Sequence, residues 1–374
     1  MRRGRVAIVG TGDIADRYAA DIGRQPDLQL SGAVDLDAAR AAAFAERHGV
    51  RAYRDLDDAL ADTDVDLVAN LTAHRAHVPV TTAALDASRH VFSEKPFALT
   101  AADARNLLAL ADERGVGLAA APTVFLGELA QTARRWIADG RLGTVRAVYA
   151  EVNWGRIEAW HDRAEAFYEI GPLFDVGVYP LTLVAALLGP FRRVEAAYAD
   201  RLLRERRTKA GGTFEVAAPD FVTAILTTMD GAVVRLTANF YVTDPARQRG
   251  VELHGDAGSL WLSNWFQFEG TLEFAPVGEQ YRTVPLLRTP AVAMPWAVGL
   301  ADLWVSVNER RRPSADGELA AHVVEVLESI IRAAETGRTI EMTSRPDRPP
   351  AAPWADALPL MTEPVPEETA ADGH

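Results

Sequence analysis

The apolar run Val6-Ala7-Ile8-Val9 leads directly into Gly10-Thr11-Gly12-Asp13-Ile14-Ala15, and a helical stretch follows through Ile22. A strand that ends in a Gly-x-Gly-x-x-small turn and restarts as a helix opens a doubly wound α/β sheet. The first glycine permits the tight turn, the second lets the backbone approach a pyrophosphate, and Ala15 supplies the small side chain needed where helix meets strand. Free N–H groups and the helix dipole favour an anion at that helix start. Gly10, Thr11, Gly12, Asp13 and Ile14 are therefore the expected dinucleotide-binding turn. An ordinary glycine turn shares the bare pattern, but here a strand precedes it, a helix follows, and Asp35 ends the second strand about 25 residues on. Asp35 is the expected acceptor for the adenosine ribose hydroxyls, and its charge would repel a 2′-phosphate, which favours NAD over NADP. Arg40 keeps NADP open, and Asp35 has the alternative role of helping to cap the helix that starts near Asp37.

The pattern of the first ~120 residues repeats this βα unit. Expected strands are Arg5–Val9, Leu28–Val34, Leu67–Asn70, Val91–Ser93 and Val116–Ala120, with helices over Asp37–Arg47, Val78–Asp86 and Ala101–Glu113. Asn70-Leu71-Thr72 then falls at the C-terminal edge of the sheet, where ligands of such folds bind. Beyond residue 122 the period-2 runs lengthen and are joined by turns. Val145–Val152 alternates, and Asp230-Gly231 links Phe221–Met229 to Ala232–Phe240 as a hairpin. Further strands are expected at Val251–His254, Ser259–Trp261 and Gln267–Glu273, and helices at Pro172–Leu188 and Leu319–Glu335. The fold class is α/β, an N-terminal Rossmann doubly wound parallel sheet followed by an α+β domain with a large, mostly antiparallel sheet. The expected divisions are residues 1–122, 123–342 and a Pro-rich extended or disordered tail at 343–374, which carries seven prolines.

Composition narrows the function classes. With 374 residues the chain exceeds the size at which one core stops growing, and 48% hydrophobic with 24% charged residues is ordinary globular usage. A net charge of −13 opposes association with nucleic acid or an anionic bilayer, so neither is an expected partner. The absence of cysteine removes disulfides, thiolate nucleophiles and Cys-ligated metal. His74 and His77 have a spacing that metal ligands use, but no carboxylate motif accompanies them, and no metal is expected. The run at Val6–Val9 is too short for a signal peptide, so the expected location is the cytoplasm. The basic run Arg201, Arg204, Arg206, Arg207, Lys209 lacks interleaved aromatics and reads as a solvated loop.

Glu94-Lys95-Pro96 follows strand Val91–Ser93 at the same sheet edge, and the X-Pro junction holds Lys95 extended. A lysine there can reach a substrate oxygen beside a nicotinamide. Farther on, Asp175-Val-Gly-Val-Tyr179-Pro places an acid and a phenol at i, i+4, one face if the segment is helical. A strand, Gly-x-Gly-x-x-Ala, Glu-Lys-Pro near residue 95, the Asp175–Tyr179 segment and Gly255-Asp-Ala-Gly-Ser-Leu260 occur in the order seen in the glucose-fructose oxidoreductase / inositol dehydrogenase (Gfo/Idh/MocA) family, and the chain resembles it over about residues 5–340. Ala121-Pro-Thr-Val-Phe-Leu-Gly127, Trp160-His161 and Gly171-Pro-Leu-Phe-Asp175 resemble one branch of it.

The resemblance implies an NAD(P)-dependent oxidoreductase acting on CH–OH groups of a sugar, cyclitol, polyol or glycoside. It implies Lys95 as catalytic lysine, Asp175 as its partner and position 179 as the general acid/base. That position is usually His in the family and is Tyr here. It also implies Glu94 and Lys95 beside the cofactor, with Trp160 and His161 against nicotinamide or sugar. A homodimer or homotetramer through the second domain's sheet is implied as well, with Trp261, Trp265, Phe266 and Phe268 either in the core or at that contact. Bringing a tyrosine from about 10 to about 7 takes roughly 4 kcal/mol, which an ammonium about 4 Å away can supply. Asp175 opposes that shift, so either Tyr179 or Lys95 carries the proton. An NADPH-dependent keto-sugar reductase, a dihydrodiol dehydrogenase and a noncatalytic dinucleotide- or sugar-sensing protein remain the alternatives.

Overall fold

The computed structural model describes residues 2–243 and 246–360. The first domain alternates β1 (Gly4–Val9), α1 (Ala15–Ile22), β2 (Leu28–Val34), α2 (Ala38–His48), β3 (Arg51–Ala52), α3 (Leu56–Ala61), β4 (Leu67–Asn70), α4 (His77–Asp86), β5 (His90–Ser93), α5 (Ala101–Arg114) and β6 (Leu118–Ala120). Its six strands are all parallel in the order β3-β2-β1-β4-β5-β6, the Rossmann order. The short edge strand β3 completes a sheet of which the sequence shows five strands. Because helices cover both faces, the central strands are apolar throughout. Val6 and Ile8 pack on Tyr18, Ile22 and Phe44, while Ala7 and Val9 pack on the opposite side with Val68, Val91 and Leu107. Asp37 caps α2 by accepting the N–H groups of Ala39 and Arg40, and Thr100 caps α5 through the N–H of Asp103. The strand order reverses between β1 and β4, so the crevice beyond their C-terminal ends is bordered by Gly10, Asp35 and Asn70.

The second domain contains α6 (Glu128–Ala138), β7 (Val145–Asn153), α7 (Glu165–Pro172), α8 (Val178–Leu188), β8 (Phe191–Asp200), β9 (Glu205–Arg207), β10 (Thr213–Glu215), β11 (Phe221–Thr228), β12 (Val233–Asn239), β13 (Gly250–Gly255), β14 (Gly258–Leu262), β15 (Leu272–Pro276) and β16 (Arg282–Val284). There follow α9 (Val298–Glu309), α10 (Gly317–Thr336), β17 (Ile340–Glu341) and α11 (Pro353–Ala357). Nine strands form one sheet in the order β16-β15-β14-β13-β7-β12-β11-β8-β17, antiparallel except for β7 with β12. Its inner face, including Val148, Val152, Leu226, Leu236 and Leu253, packs with the wholly buried α8 in one core. The stretch Glu165–Leu188 is long and apolar enough to cross a membrane, and 89% of its most apolar part is buried inside this domain.

Several elements differ from the sequence expectation. The helix expected at Pro172–Leu188 begins earlier, kinks at Gly171 (φ 72°) and passes through a π-turn at Leu173–Gly177 before α8. Gly171 has no room for a side chain, since a Cβ would lie 2.4 Å from the Pro219 carbonyl oxygen. The strand expected over Gln267–Glu273 starts only at Leu272, because Phe268 is buried beneath α6 against Gly127. Strand β8 reads poorly because Ala and Glu, which favour helix, fill its middle. Helix α9 returns to the first domain, where Leu300, Leu303 and Trp304 join the core of β1 and α1.

The basic run is not a solvated loop throughout. Arg206 is buried in β9, ion-paired to Asp220 and, at 2.9 Å, to Glu158. The chain after β17 is extended and docked. Thr343 and Ser344 bond to Glu325, the Ala352 N–H donates to Gln131, and Ala352 and Ala355 pack on Leu287. Residues 361–374 of the expected tail lie outside the described residues.

Candidate active site

Gly10 adopts φ 93°, and a Cβ there would lie 2.8 Å from the Leu71 carbonyl oxygen and 2.9 Å from the Thr72 nitrogen. Only glycine fits this approach of the first turn to the loop after β4. At Gly12 a Cβ would meet nothing within 4 Å, so the backbone there borders open space that a pyrophosphate can approach. Asp35 lies just past β2. Its Oδ2 accepts from the N–H (2.8 Å) and hydroxyl (3.0 Å) of Thr11, and its Oδ1 accepts from the Asp37 N–H and from Arg40 at 2.9 Å each. Burial opposes its charge, but the Asp37 and Thr11 donors outweigh burial and hold its pKa below the ordinary aspartate value. Asp35 thus braces the glycine turn, while Asp37 caps α2. Glycine turn, open space and a charged carboxylate at the strand end together fit a dinucleotide.

Other turn residues serve different ends. Ile14 packs against the first core. Asp13 reaches the second domain, 3.4 Å from Arg163 and 3.6 Å from His161. The side chain of Asn70 is fully engaged with protein: its Nδ2 donates to the His77 carbonyl and to Thr81, and its Oδ1 accepts from the Thr72 hydroxyl. It shapes the Leu71–Thr72 loop at the C-terminal edge of the sheet, the place the sequence assigns to the cofactor. His77 bonds carbonyls at Pro96 and Thr72, while His74 lies 3.5 Å from Glu169, so the two histidines serve separate contacts.

Lys95 follows β5 and crosses the domain boundary. Its Nζ is 2.6 Å from Asp175 Oδ1 and donates at 2.7 Å to the Asp175 carbonyl. The ammonium also lies 5.5 Å from the centre of the Tyr179 ring. Glu94, buried, accepts from the Lys95 N–H (2.9 Å) with one oxygen and from the Tyr18 hydroxyl (2.7 Å) with the other. The structure therefore brings Lys95, Asp175, Tyr179 and Glu94 together. Tyr18 escapes sequence reading because it falls on the apolar face of α1 with Ala15, Ala19 and Ile22, where an aromatic reads as core.

The electrostatics assign protonation states. Burial works against the Lys95 charge, but Asp175, Tyr179 and Glu94 outweigh it and raise its pKa. Burial raises the Tyr179 phenol; Lys95 pulls it down, while Glu94 and Asp175 push it up further. Asp175 neutralises the ammonium and burial penalises a second anion, and both act against a phenol lowered by Lys95. Both shifts favour an ammonium at Lys95 and a neutral phenol at Tyr179.

Trp160 and His161 lie beside the dinucleotide turn, His161 being the residue 3.6 Å from Asp13. His161 stacks edge-on with Trp160 and Phe167, and no hydrogen bond or ion pair joins either residue to Lys95 or Asp175 among the described residues. Lys209 donates to the Trp160 carbonyl at 3.1 Å. Trp265 and Phe266 pack against Tyr179 with ring centres 5.9 and 5.8 Å away, and Trp154 closes this group. Trp261 stands on β14 between the buried Leu260 and Leu262, so it points to the other face of the sheet. These aromatics do not share one face.

Two family models match the chain, the NAD-binding Rossmann domain of the GFO/IDH/MocA oxidoreductases over residues 4–121 and the family's C-terminal domain over residues 130–261. A dTDP-3,4-didehydro-2,6-dideoxy-alpha-D-glucose 3-reductase of Streptomyces violaceoruber is 37% identical over 199 residues, 53% of this chain and 58% of that protein. The enzyme of the same name from Streptomyces antibioticus is 30% identical over 263 residues, 70% of this chain and 76% of its own. Levoglucosan dehydrogenase, solved with NADH and levoglucosan, superposes with a TM-score of 0.80 at 18% identity, over 92% of this chain and 100% of that one, a likeness of fold.

Proposed function

The chain belongs to the Gfo/Idh/MocA oxidoreductase family, with an NAD-binding Rossmann domain, and from that premise we propose that it interconverts a secondary alcohol and a ketone on a sugar, cyclitol or glycoside. The observation that carries this reading is the Lys95 ammonium held by Asp175 where the second domain meets the C-terminal edge of the Rossmann sheet. A bound nicotinamide dinucleotide supplies or accepts the hydride. Gly10, Gly12 and the start of α1 would hold its pyrophosphate and Asp35 its ribose.

The protein's own residues handle the oxygen. Lys95 donates a hydrogen bond to the substrate oxygen and, in the reducing direction, gives that oxygen its proton. Asp175 keeps the ammonium charged and aimed. Tyr179, a neutral phenol, orients the same oxygen by hydrogen bonding. A lysine held protonated can donate a hydrogen bond to the reacting oxygen in either direction, and Asp175, by raising its pKa, makes it a firmer donor and a weaker acid. The two Streptomyces relatives are named as keto-sugar reductases, which makes reduction of a keto-sugar the direction we propose. A sensing protein of this fold has no use for a buried lysine–carboxylate pair.

The test is absorbance at 340 nm, following NADH and separately NADPH with a panel of keto-sugars, and NAD and NADP with sugars, cyclitols and glycosides. Turnover that Lys95→Met abolishes supports the proposal. Tight NADH binding with no turnover on any member would favour the sensor. A cytoplasmic homodimer or homotetramer is part of the proposal, formed through the outer face of the nine-stranded sheet, where Tyr149, Tyr198 and Val233 are exposed. A monomer by light scattering would remove it.

A further inference from the structure

His77 opens α4 and is 1% exposed, so its ring is served by protein alone. Its Nδ1 lies 2.7 Å from the Pro96 carbonyl oxygen and its Nε2 2.9 Å from the Thr72 carbonyl oxygen. Both partners only accept hydrogen bonds, and a neutral imidazole carries a single N–H. Burial holds the ring neutral. The two carbonyls and Glu94 pull towards the imidazolium, while the Lys95 charge adds to burial. The remaining titratable neighbour, His74, is itself held towards neutral by burial. In its neutral form the ring donates to one of these carbonyls at a time and lies within hydrogen-bond distance of both.

Those carbonyls belong to the two segments that the reaction must register. Thr72 sits in the loop pressed against Gly10 of the dinucleotide turn, and Pro96 follows Lys95 directly. Asn70 stiffens the same link, since its amide holds the His77 carbonyl and its Oδ1 takes the Thr72 hydroxyl at 2.7 Å. A ring needed only for volume would be apolar, because polar atoms in a dry core demand partners. We infer that His77 is a positioning residue that couples the cofactor turn to Lys95, through Thr72 on one side and Pro96 on the other. The inference rests on the dinucleotide reading of the site.

The chain has lysine at positions 95 and 209 and nowhere else. Protein labelled with [ε-13C]lysine thus gives separate signals for the buried Lys95 and the exposed Lys209, which serves as internal control. In the native protein, saturation with NADH is expected to shift the Lys95 signal. In His77→Phe, which keeps a ring but no donor, NADH is expected to bind with Kd within about threefold, under 1 kcal/mol, while the Lys95 shift falls to half the native one or less, the remainder coming from the nicotinamide beside it. His77→Asn, whose donor reaches one carbonyl, is expected to retain a reduced response, and it decides alone if His77→Phe does not fold. A full native Lys95 response in His77→Asn or His77→Phe overturns the inference. Failure of NADH to bind the native protein would instead bring down the dinucleotide reading beneath it.

Discussion

The ammonium of Lys95 and the carboxylate of Asp175 are 80 residues apart in sequence and 2.6 Å apart in space, and they join the two domains at the reacting edge. The pair is largely buried, and Asp175 keeps the Lys95 ammonium charged. Removing the ammonium removes the proposed acid, and Lys95→Met is expected to lower kcat by about 10²–10⁴. Asp175→Asn leaves a buried ammonium without its anion, which costs about 3–5 kcal/mol of stability and brings the Lys95 pKa down. Steady-state turnover with circular dichroism melts on both variants checks this. Full activity in either one would remove the pair from the mechanism.

Tyr179 gives a sharper test, because its phenol is held neutral by burial against the pull of Lys95. If it only orients the substrate, Tyr179→Phe loses one hydrogen bond, about tenfold in kcat/KM. The alkaline side of the pH–rate profile would keep its shape in that variant. In the native enzyme the reducing direction should show no fall from Lys95 up to its ordinary pKa of 10.5, since the folded value lies above it. In Asp175→Asn the fall should move to lower pH. A limb near neutrality that disappears with Tyr179→Phe would return the proton to the phenol.

Cofactor preference turns on Asp35 and Arg40. Arg40 lies 2.9 Å from Asp35 and is half exposed, so it can swing away at little cost. Asp35→Ser removes the charge that repels a 2′-phosphate and frees Arg40 to meet it. The kcat/KM ratio of NAD to NADP is expected to fall by about tenfold or more, the worth of one charge-assisted bond. Adding Arg40→Ala should reverse the NADP gain without restoring NAD. An unchanged ratio in Asp35→Ser would mean the ribose lies elsewhere.

What was legible in the sequence follows from how local each requirement is. Gly10, Gly12 and Asp35 answer to one turn, and Lys95 answers to one strand end, so short spacing reveals them. The partners that set their chemistry come from afar: Tyr18 reaches Glu94 across 76 residues, and His77 reaches Pro96 across 19. Arg206 in an exposed-looking basic run is buried only because Asp220 and Glu158 converge on it. Helix α9 carried a readable signal in Leu300, Leu303, Trp304 and Val307, an i, i+3, i+4, i+7 stripe. Its return to the first domain is tertiary and has no local mark.

Acid stability should depend on a group far from the site. His322 is buried, its Nε2 accepts the Phe191 N–H at 2.9 Å, and its Nδ1 therefore carries the proton and donates to Ser344 at 2.7 Å. Ser344 in turn donates to Glu325, which also binds Thr343 and so pins the chain after β17. Burial pushes the His322 pKa down from 6.5 to about 4, so the ring is neutral in the fold and the unfolded chain takes up the proton first. Stability is therefore complete above about pH 6.5 and lost as pH falls towards about 4, by on the order of 3 kcal/mol. Glu325, also held below its ordinary 4.5 by Ser344 and Thr343 against burial, extends the loss to lower pH. His322→Phe leaves the Phe191 N–H without an acceptor, about 1–3 kcal/mol at neutral pH, but it should flatten the dependence between pH 6.5 and 4. Urea midpoints across that window decide the matter. An equal slope in both proteins would place the acid sensitivity in other groups and leave the His322–Ser344–Glu325 chain as a pH-independent latch.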